Sequence, residues 1–414
     1  MRRIVAPTLA LLCAGVHPAF AQDQDSGGSD ISGSLRFSYF SSSRDLNNVE
    51  HIPVVSAQIE IKQRISDNQS FELDVKATVA DFFREGDTRI KWDSAYWFLR
   101  TDRIDLRLGQ QKIRWGKADG INPTDFFTPI DYTVPLPLED DRYLSVPAIR
   151  ADIHINDTES ISLVAEPGFT PTRTPWPKPS PLDIDDDEPS GWQAGARWLH
   201  TGEQLDWSAS VFHGYSTLPL LHFDETSAPK SPSFIRHYMA IRGIGADVAR
   251  NFGQYGFRAE AAYVQPRARD GRLSVQSSYS MVAGFDRSFD EWNFNVQAVL
   301  RYTPDFRPAD PLLAPPQQWA AAQNAIVHGQ QERFMYGMTA RIVAEWLNDT
   351  LQTEMLAVAN FSPDNYFLRP LLTYAVSDRT KLRLGAEYYA GPDATYFGSL
   401  KPNRTAFIEV QLSY

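Results

Sequence analysis

The chain is nearly free of cysteine. Its single thiol, Cys13, lies in the apolar start of the sequence. Leu12 before it does not fit the small residue that a lipoprotein signal requires, so a disulfide scaffold and a lipid-anchored start are both set aside. The chain also lacks any run of about twenty apolar residues, which excludes spanning a membrane by helices. Positive charge is in deficit: the net charge is −11, opposite to the basic balance of a nucleic-acid binder. No P-loop, nucleophile elbow, zincin motif or dinucleotide fingerprint occurs. His154 and His213 are single histidines on alternating segments and read as wall residues, so no enzyme is expected. An outer-membrane hydrolase that gathers its triad across strands is the remote alternative.

What is present begins with a secretory signal over residues 1–21. Arg2 and Arg3 give the positive start and Ile4 to Val16 the apolar stretch. Ala19-Phe20-Ala21 forms a small-x-small cleavage site before Gln22. Loss of the two arginines makes the mature chain more acidic still. Residues 22–30 read as a short N-terminal segment and 31–414 as one domain.

That domain is built of short alternating segments. At the end of the chain Ala406, Ile408, Val410, Leu412 and Tyr414 fall on one face, and Phe407, Glu409, Gln411 and Ser413 on the other. A strand shows successive side chains to opposite faces, so this segment has one apolar and one mostly polar side. The same pattern recurs from Ile59 to Leu384, with good examples at Phe71–Val79, Trp292–Leu300 and Phe334–Ile342.

The connections alternate as well. Ser66–Gln69, Thr101-Asp102, Asn156–Thr158, Thr201–Glu203, Asn251-Phe252, Phe289-Asp290, Asn348-Asp349 and Ser377-Asp378 are short turns rich in Asp, Asn, Ser, Thr and Gly. The intervening connections are mostly longer and carry more Pro and Gly. Short turns at one rim and long loops at the other predict an all-β transmembrane antiparallel barrel. It has roughly 18 strands, short periplasmic turns, long extracellular loops and both ends on the short-turn side. Aromatic residues near segment ends, among them Trp92, Tyr96, Trp198, Trp292 and Tyr388, read as interfacial girdles. Tyr238 to Val248 shows no clean register, and a bulge is expected there.

The alternation projects Arg107, Arg150, Arg197, Arg258, Arg301, Arg341, Arg369 and Arg383 into the lumen. Glu60, Asp74, Asp93, Asp105, Asp152, Glu260, Glu345, Glu354, Glu387 and Glu409 share that face. Similar counts of each sign mean that many of these groups pair across strands. A subset of the arginines is the candidate for attracting anionic solutes.

The densest motif runs from Trp115 to Pro129. Gly116 and Gly120 permit sharp turns, and Asn122-Pro123 with Asp125 reads as a capped short helix. Infolding of this loop would place Lys117, Asp119 and Asp125 at a constriction; the alternative is a brace at the rim. The acidic run Asp183–Glu188 reads as a solvated loop, with calcium binding as the weaker option. Residues 315–327 place Trp319, Ala322, Gln323 and Ile326 at helical spacing and predict an amphipathic helix at the mouth.

Leu108–Gln111, Trp115-Gly116-Lys117, Asp119 and Asn122–Asp125 together resemble a motif, W-G-K-x-D-x-I-N-P-x-D, of porin-like outer-membrane barrels of Gram-negative bacteria. The architecture resembles more generally that of barrels that export anionic exopolysaccharide, the alginate exporter among them. The resemblance implies a porin-like channel for passive passage of small hydrophilic solutes, anionic ones included. An exopolysaccharide export pore with periplasmic partners is the second option. Either would lie in the outer membrane, contact lipid and lipopolysaccharide, and depend on the barrel-assembly machinery. No cofactor, metal or nucleic acid is expected, and the oligomeric state stays open.

Overall fold

The computed structural model describes residues 28–43, 50–80, 87–133, 137–174, 183–226, 233–267, 275–308 and 311–414. The expected signal segment, residues 1–21, lies outside the described residues.

Eighteen strands form one closed antiparallel wall. Their order is β1 (Ser29–Ser42), β2 (His51–Ser66), β3 (Gln69–Ala80), β4 (Asp87–Arg100), β5 (Ile104–Gln111), β6 (Val146–His154) and β7 (Glu159–Glu166). After a short excursion strand, β8 (Asp183–Asp187), the wall continues with β9 (Gln193–Thr201) and β10 (Leu205–Tyr215). Two more excursion strands follow, β11 (Leu220–Phe223) and β12 (Ser233–His237). The wall resumes with β13 (Ala240–Phe252), β14 (Tyr255–Pro266), β15 (Ser278–Phe289), β16 (Trp292–Tyr302) and β17 (Phe334–Trp346). It ends with β18 (Leu351–Phe361), β19 (Asp364–Ser377), β20 (Thr380–Ala390) and β21 (Thr405–Ser413). β1 closes on β21 in register, with Phe37 opposite Val410 and Phe40 opposite Phe407. Closure leaves no unpaired edge, the condition for a sheet to sit in lipid.

The expected turn geometry holds. Ser66–Gln69, Thr201–Glu203 and Ser377-Asp378 follow strands running the same way, so they lie at one rim with both ends of the wall. One turn is displaced from its expected place. Asn251 and Phe252 remain in β13, and the reversal falls on Gly253-Gln254, where Gly253 takes the left-handed φ of 61° that glycine adopts without a steric penalty. At the opposite rim one connection, Ser362-Pro363, is also short.

Two register expectations are corrected. β13 pairs continuously with β10 and β14, so Tyr238 to Val248 contains no bulge. Its run of Gly and Ala had hidden the alternation. Beyond small irregularities beside two turns, at Arg64–Ser66 and Ala375–Ser377, the break in register lies at β3–β4, between Asp74 and Val75. It turns Asp93 and Ser94 both inward, leaves Trp92 outside and moves Tyr96 to the inner face beside Glu72. Tyr96 is therefore a lumen residue and not part of a girdle.

The excursion strands form a small sheet in which β12 pairs antiparallel with β11 and parallel with β8. Asp183–Asp187 is thus a strand and not a free acidic loop. Asp186 meets Arg236 at 2.5 Å and Asp187 meets His237 at 2.8 Å. Helix α1 (Pro315–Val327) forms as expected. Its buried face carries Ala320, Ala321, Asn324 and Ile326, while Ala322 is exposed. Asn324 clamps the Leu221 backbone, accepting from its N–H at 2.7 Å and donating to its carbonyl at 2.9 Å. His328 closes the helix in a buried site that pushes its pKa down to about 4, so the neutral ring faces the Pro219 carbonyl at 3.0 Å.

Candidate functional site: the infolded loop

The long connection 112–145 leaves the wall at Gln111 and enters the lumen. Its first lobe is held by aromatic packing. Ile113, Trp115, Phe126 and Phe127 bury themselves against Val146, Ala148, Val164, Phe212, Ile241 and Ala262 of the inner wall. Phe127 meets Phe212 edge-on at 4.9 Å, and Phe126 stacks on it at 5.3 Å.

The wall makes room by leaving side chains out. A Cβ at Gly195 would lie 2.7 Å from Trp115, one at Gly243 2.7 Å from Phe126, and one at Gly245 2.9 Å from Thr124. The three glycines stand on β9 and β13, where their inward positions give the loop a flat floor. The same composition blurred the strand signal in the sequence.

The tip of the lobe is fixed by polar contacts at mid-height. Glu260 on β14 accepts hydrogen bonds from the backbone N–H groups of Lys117 and Ala118 and from Thr124 Oγ1. Lys117 Nζ reaches Asp206 at 2.8 Å, and Asp119 reaches Arg341 at 2.8 Å. A cavity of about 350 Å³ opens beside Lys117 and the turn Gly202–Gln204, on the short-turn side of the loop.

Asn122–Asp125 forms a turn, closed by the Asp125 N–H donating to Asn122 O at 3.1 Å, and not the expected short helix. Asp125 points into the loop and not into the open lumen. Thr128 Oγ1 lies 2.6 Å from Ile113 O and 2.8 Å from Asp125 Oδ1. Burial pushes the Asp125 pKa up to about 7, against the opposing pull of hydrogen bonds from Thr128 and Trp115 and the charge of Arg114. A hydroxyl has one proton, and the Ile113 carbonyl only accepts. The single Thr128 proton is therefore shared between the Ile113 carbonyl and Asp125 Oδ1, so the buried carboxyl receives only part of the support its charged form needs.

The second lobe centres on the 3₁₀ turn Glu139–Arg142 and reaches the opposite wall. Glu139 meets Arg341 at 2.5 Å and Arg369 at 3.8 Å. Asp141 sits between Arg36 at 2.5 Å and Lys76 at 2.9 Å, and Arg142 meets Glu387 at 2.6 Å. Burial opposes ionisation of Glu139 and Asp141, but the surrounding Arg and Lys outweigh it and hold both below the ordinary carboxylate range. The sequence reading passed over Glu139, Asp141, Arg142, Arg36, Lys76 and Lys91. The charged run Glu139–Arg142 inside an otherwise apolar and Pro-rich stretch was the available signal.

All eight projected arginines face inward, and most meet a carboxylate. Arg197 pairs with Asp247 at 2.8 Å, Arg383 with Glu409 at 2.6 Å, Arg258 with Asp286 at 3.4 Å and Arg369 with Glu387 at 3.6 Å. Arg301 donates to the His328 carbonyl and to Ser280. The structure brings Asp119, Arg341 and Arg369 to the loop. Arg107 and Arg150 lie below the point where the loop leaves the wall and meet each other's neighbour Asp152, at 2.8 and 3.0 Å.

The charges are unevenly shared round the lumen. On the β1–β6 arc and the loop against it, three carboxylates hold two cations each. Asp141 takes Arg36 and Lys76, Asp93 takes Lys91 and Lys112, and Asp152 takes Arg107 and Arg150. Across the lumen one cation is shared more widely: Arg341 serves Asp119, Glu139 and Glu354, and Arg369 also reaches Glu139, at 3.8 Å.

A closed 18-strand wall with a long loop folded into its lumen defines a porin-like β-barrel. A family model described as "Protein of unknown function (DUF1302)" matches residues 84–390, and the chain belongs to that family. Solved structures share the fold. The outer membrane protein OpdK from Pseudomonas aeruginosa aligns with a TM-score of 0.59 at 9% identity, over 94% of this chain and 99% of that one. OccAB1 from Acinetobacter baumannii aligns with a TM-score of 0.57 at 9% identity, over 93% and 96%. OccK3 (OpdO) from Pseudomonas aeruginosa gives 0.55 at 12% identity, over 93% and 95%. No curated protein matches the sequence.

Proposed function

We propose that this chain is an outer-membrane channel for small hydrophilic solutes, with anions favoured, and that the infolded loop sets its constriction. The observation that carries the reading is the uneven charge sharing at loop height. Along β1–β6 the shared clusters set Arg36, Lys76, Lys91, Lys112, Arg107 and Arg150 on one side of the lumen, interleaved with the acids Glu60, Asp74 and Asp105, and charged walls in a low-dielectric pore select by sign. An anion passes along this arc, while the carboxylates around Arg341 keep it off the other. The loop restricts the width, because its two lobes reach the wall on opposite sides. Lys117, Asp119, Arg341 and Arg369 form its edge. Arg107 and Arg150 line the path below it, and Arg197, Arg301 and Arg383 stiffen the wall.

The fold relative OpdK has been crystallised with vanillate, an anionic solute. That agrees with the reading and does not supply a substrate for this chain. Location in the outer membrane and cleavage of residues 1–21 belong to the same proposal.

Planar-bilayer recording tests it. Deleting Ala118 to Thr128 should raise single-channel conductance, and Arg107→Gln with Arg150→Gln should move the reversal potential toward cation preference. Unaltered conductance in an inserted deletion variant would remove the constriction role. A wild-type barrel that conducts nothing and opens on this deletion would favour the export pore, with periplasmic partners supplying the trigger.

A further inference from the structure

The outer face of the wall carries basic side chains at its long-loop end. His213 of β10 is opposite Arg242 of β13, and Arg242 is opposite Gln265 of β14. All three are exposed, while their chain neighbours Phe212, Gly214, Ile241 and Gly243 are buried on the inner side. Successive side chains of a strand point to opposite faces, so this row belongs to the outside. The ladder continues past Pro266, where the Arg267 N–H donates to the Ala240 carbonyl at 2.8 Å. Arg267 therefore stands in the next outward row, with Ala240 and Tyr215.

Ala240 is small, and Arg267 reaches across it. Its guanidinium lies 5.9 Å from the Tyr215 ring centre, and its Nη1 lies 2.8 Å from His213 Nε2. An arginine only donates, so Nε2 accepts, and the proton of the neutral ring is on Nδ1. Arg242 flanks the same histidine from β13. Two guanidiniums thus stand beside one neutral ring, and like charges on neighbouring strands repel. Among the described residues neither arginine has a carboxylate within ion-pair reach. The lumen arginines Arg197, Arg341 and Arg383 each have one.

An aromatic belt fixes the height of this patch. Ile244, Tyr263, Tyr279, Tyr302 and Phe334 are opposed in one outward row from β13 to β17. Neighbouring rings in it are 4.7 to 6.4 Å apart. Such girdles lie where hydrocarbon gives way to headgroups. His213, Arg242 and Gln265 are two residues closer to the long loops than Val211, Ile244 and Tyr263, which is about 7 Å along the strands. At that level the membrane presents phosphate.

We propose that His213, Arg242, Gln265 and Arg267 bind a phosphate of lipid A, the phosphorylated glycolipid of the outer leaflet. The two arginines give it charge-assisted hydrogen bonds, and its charge relieves their repulsion. His213 Nδ1–H and the Gln265 amide add neutral donors, and the acyl chains lie over Ile244 and the tyrosines. The site rests on the outer-membrane reading above, with the long loops outside, and not on conduction.

The full chain, purified in neutral detergent, is titrated with diphosphoryl lipid A, phosphatidylglycerol and inorganic phosphate, and its adducts are resolved by native mass spectrometry. Lipid A is expected to bind more tightly than phosphatidylglycerol and to resist displacement by inorganic phosphate. Arg242→Gln with Arg267→Gln should weaken lipid A by about tenfold or more, in a barrel that keeps its heat-modifiable migration. Lysine at both positions keeps the charge and should lose less. Arg250 and Arg287 stand on the outer face at the other rim, so Arg250→Gln with Arg287→Gln should bind lipid A like the wild type. Undiminished binding by the folded Arg242→Gln, Arg267→Gln barrel, equal affinity for phosphatidylglycerol, displacement by inorganic phosphate, or equal loss in the Arg250, Arg287 pair would each overturn the site. Conductance is read separately, in phosphatidylcholine bilayers without lipid A. A barrel that conducts nothing but holds lipid A through these arginines would sink the channel and keep the site.

Discussion

Arg341 and Asp119 tie the barrel wall to the infolded loop through Nε and a carboxylate oxygen 2.8 Å apart, and the same guanidinium reaches Glu139 of the second lobe at 2.5 Å. One wall residue thus holds both lobes. Glu354, at 2.8 Å, completes its coordination from the neighbouring strand.

Removing that guanidinium leaves three carboxylates facing one another. Loss of one member of a buried ion pair costs about 3–5 kcal/mol, and the cost here is lower because the Arg341 side chain is 19% exposed. Arg341→Ala should release the loop and give larger, noisier single-channel currents, while the barrel still shows heat-modifiable migration. Arg341→Lys keeps the charge but not the fork, and should fall between. Currents identical to wild type from Arg341→Ala would mean that the aromatic packing alone holds the loop.

The glycine floor gives an independent handle on the same loop. Gly195→Val and Gly243→Val put carbon where Trp115 and Phe126 now lie. Overpacking of this kind typically costs about 1–3 kcal/mol. The expected result is a loop cut faster by protease, in a barrel whose strands remain intact. Equal cleavage rates for wild type and both variants would show that the aromatic side chains repack without leaving the floor.

The barrel was legible because lipid and lumen impose opposite polarities on alternate residues. Arg341, Arg369 and Glu260 face inward as that alternation requires. Legibility failed where side chains are small or the period slips. Gly243 and Gly245 hide the register of β13, and the bulge opposite Asp74 and Val75 moves Tyr96 to the other face. Asp183–Asp187 read as a loop because strand propensity scores its acids poorly; their partners Arg236 and His237 lie some fifty residues on. The pairing of Asp119 with Arg341 spans 222 positions, and no local pattern signals it.

Sidedness is open to a direct check. Val296 and Ile342 lie on the outer face of β16 and β17, while Val343, opposite Glu354, lies on the inner face. Arginine at the bilayer midplane costs about 2–4 kcal/mol on the lipid face of a barrel. Val296→Arg and Ile342→Arg should lower the midpoint of urea unfolding in liposomes, and Val343→Arg should be tolerated. The reverse ranking would exchange the inside and the outside of the wall.

The loop should loosen as pH rises. Asp125 in the docked loop holds its proton up to about pH 7, well above the ordinary carboxyl value of 3.8. Below that ordinary value the carboxyl is protonated whether the loop is docked or free, and docking keeps its full stability. Between the two values the free loop gives up the proton that the docked loop retains. Docking therefore weakens steadily over this window and levels off above about pH 7. Above it the charge sits in a buried place whose hydroxyl donor, Thr128, is shared with Ile113 O. Loop-opening events in bilayer recordings should become more frequent from pH 5 to pH 8. Asp125→Asn, which cannot ionise and can donate to Thr128, should keep the low-pH frequency throughout. Val, with neither property, should open often at every pH. A pH response that persists in Asp125→Asn would assign the titration to another group.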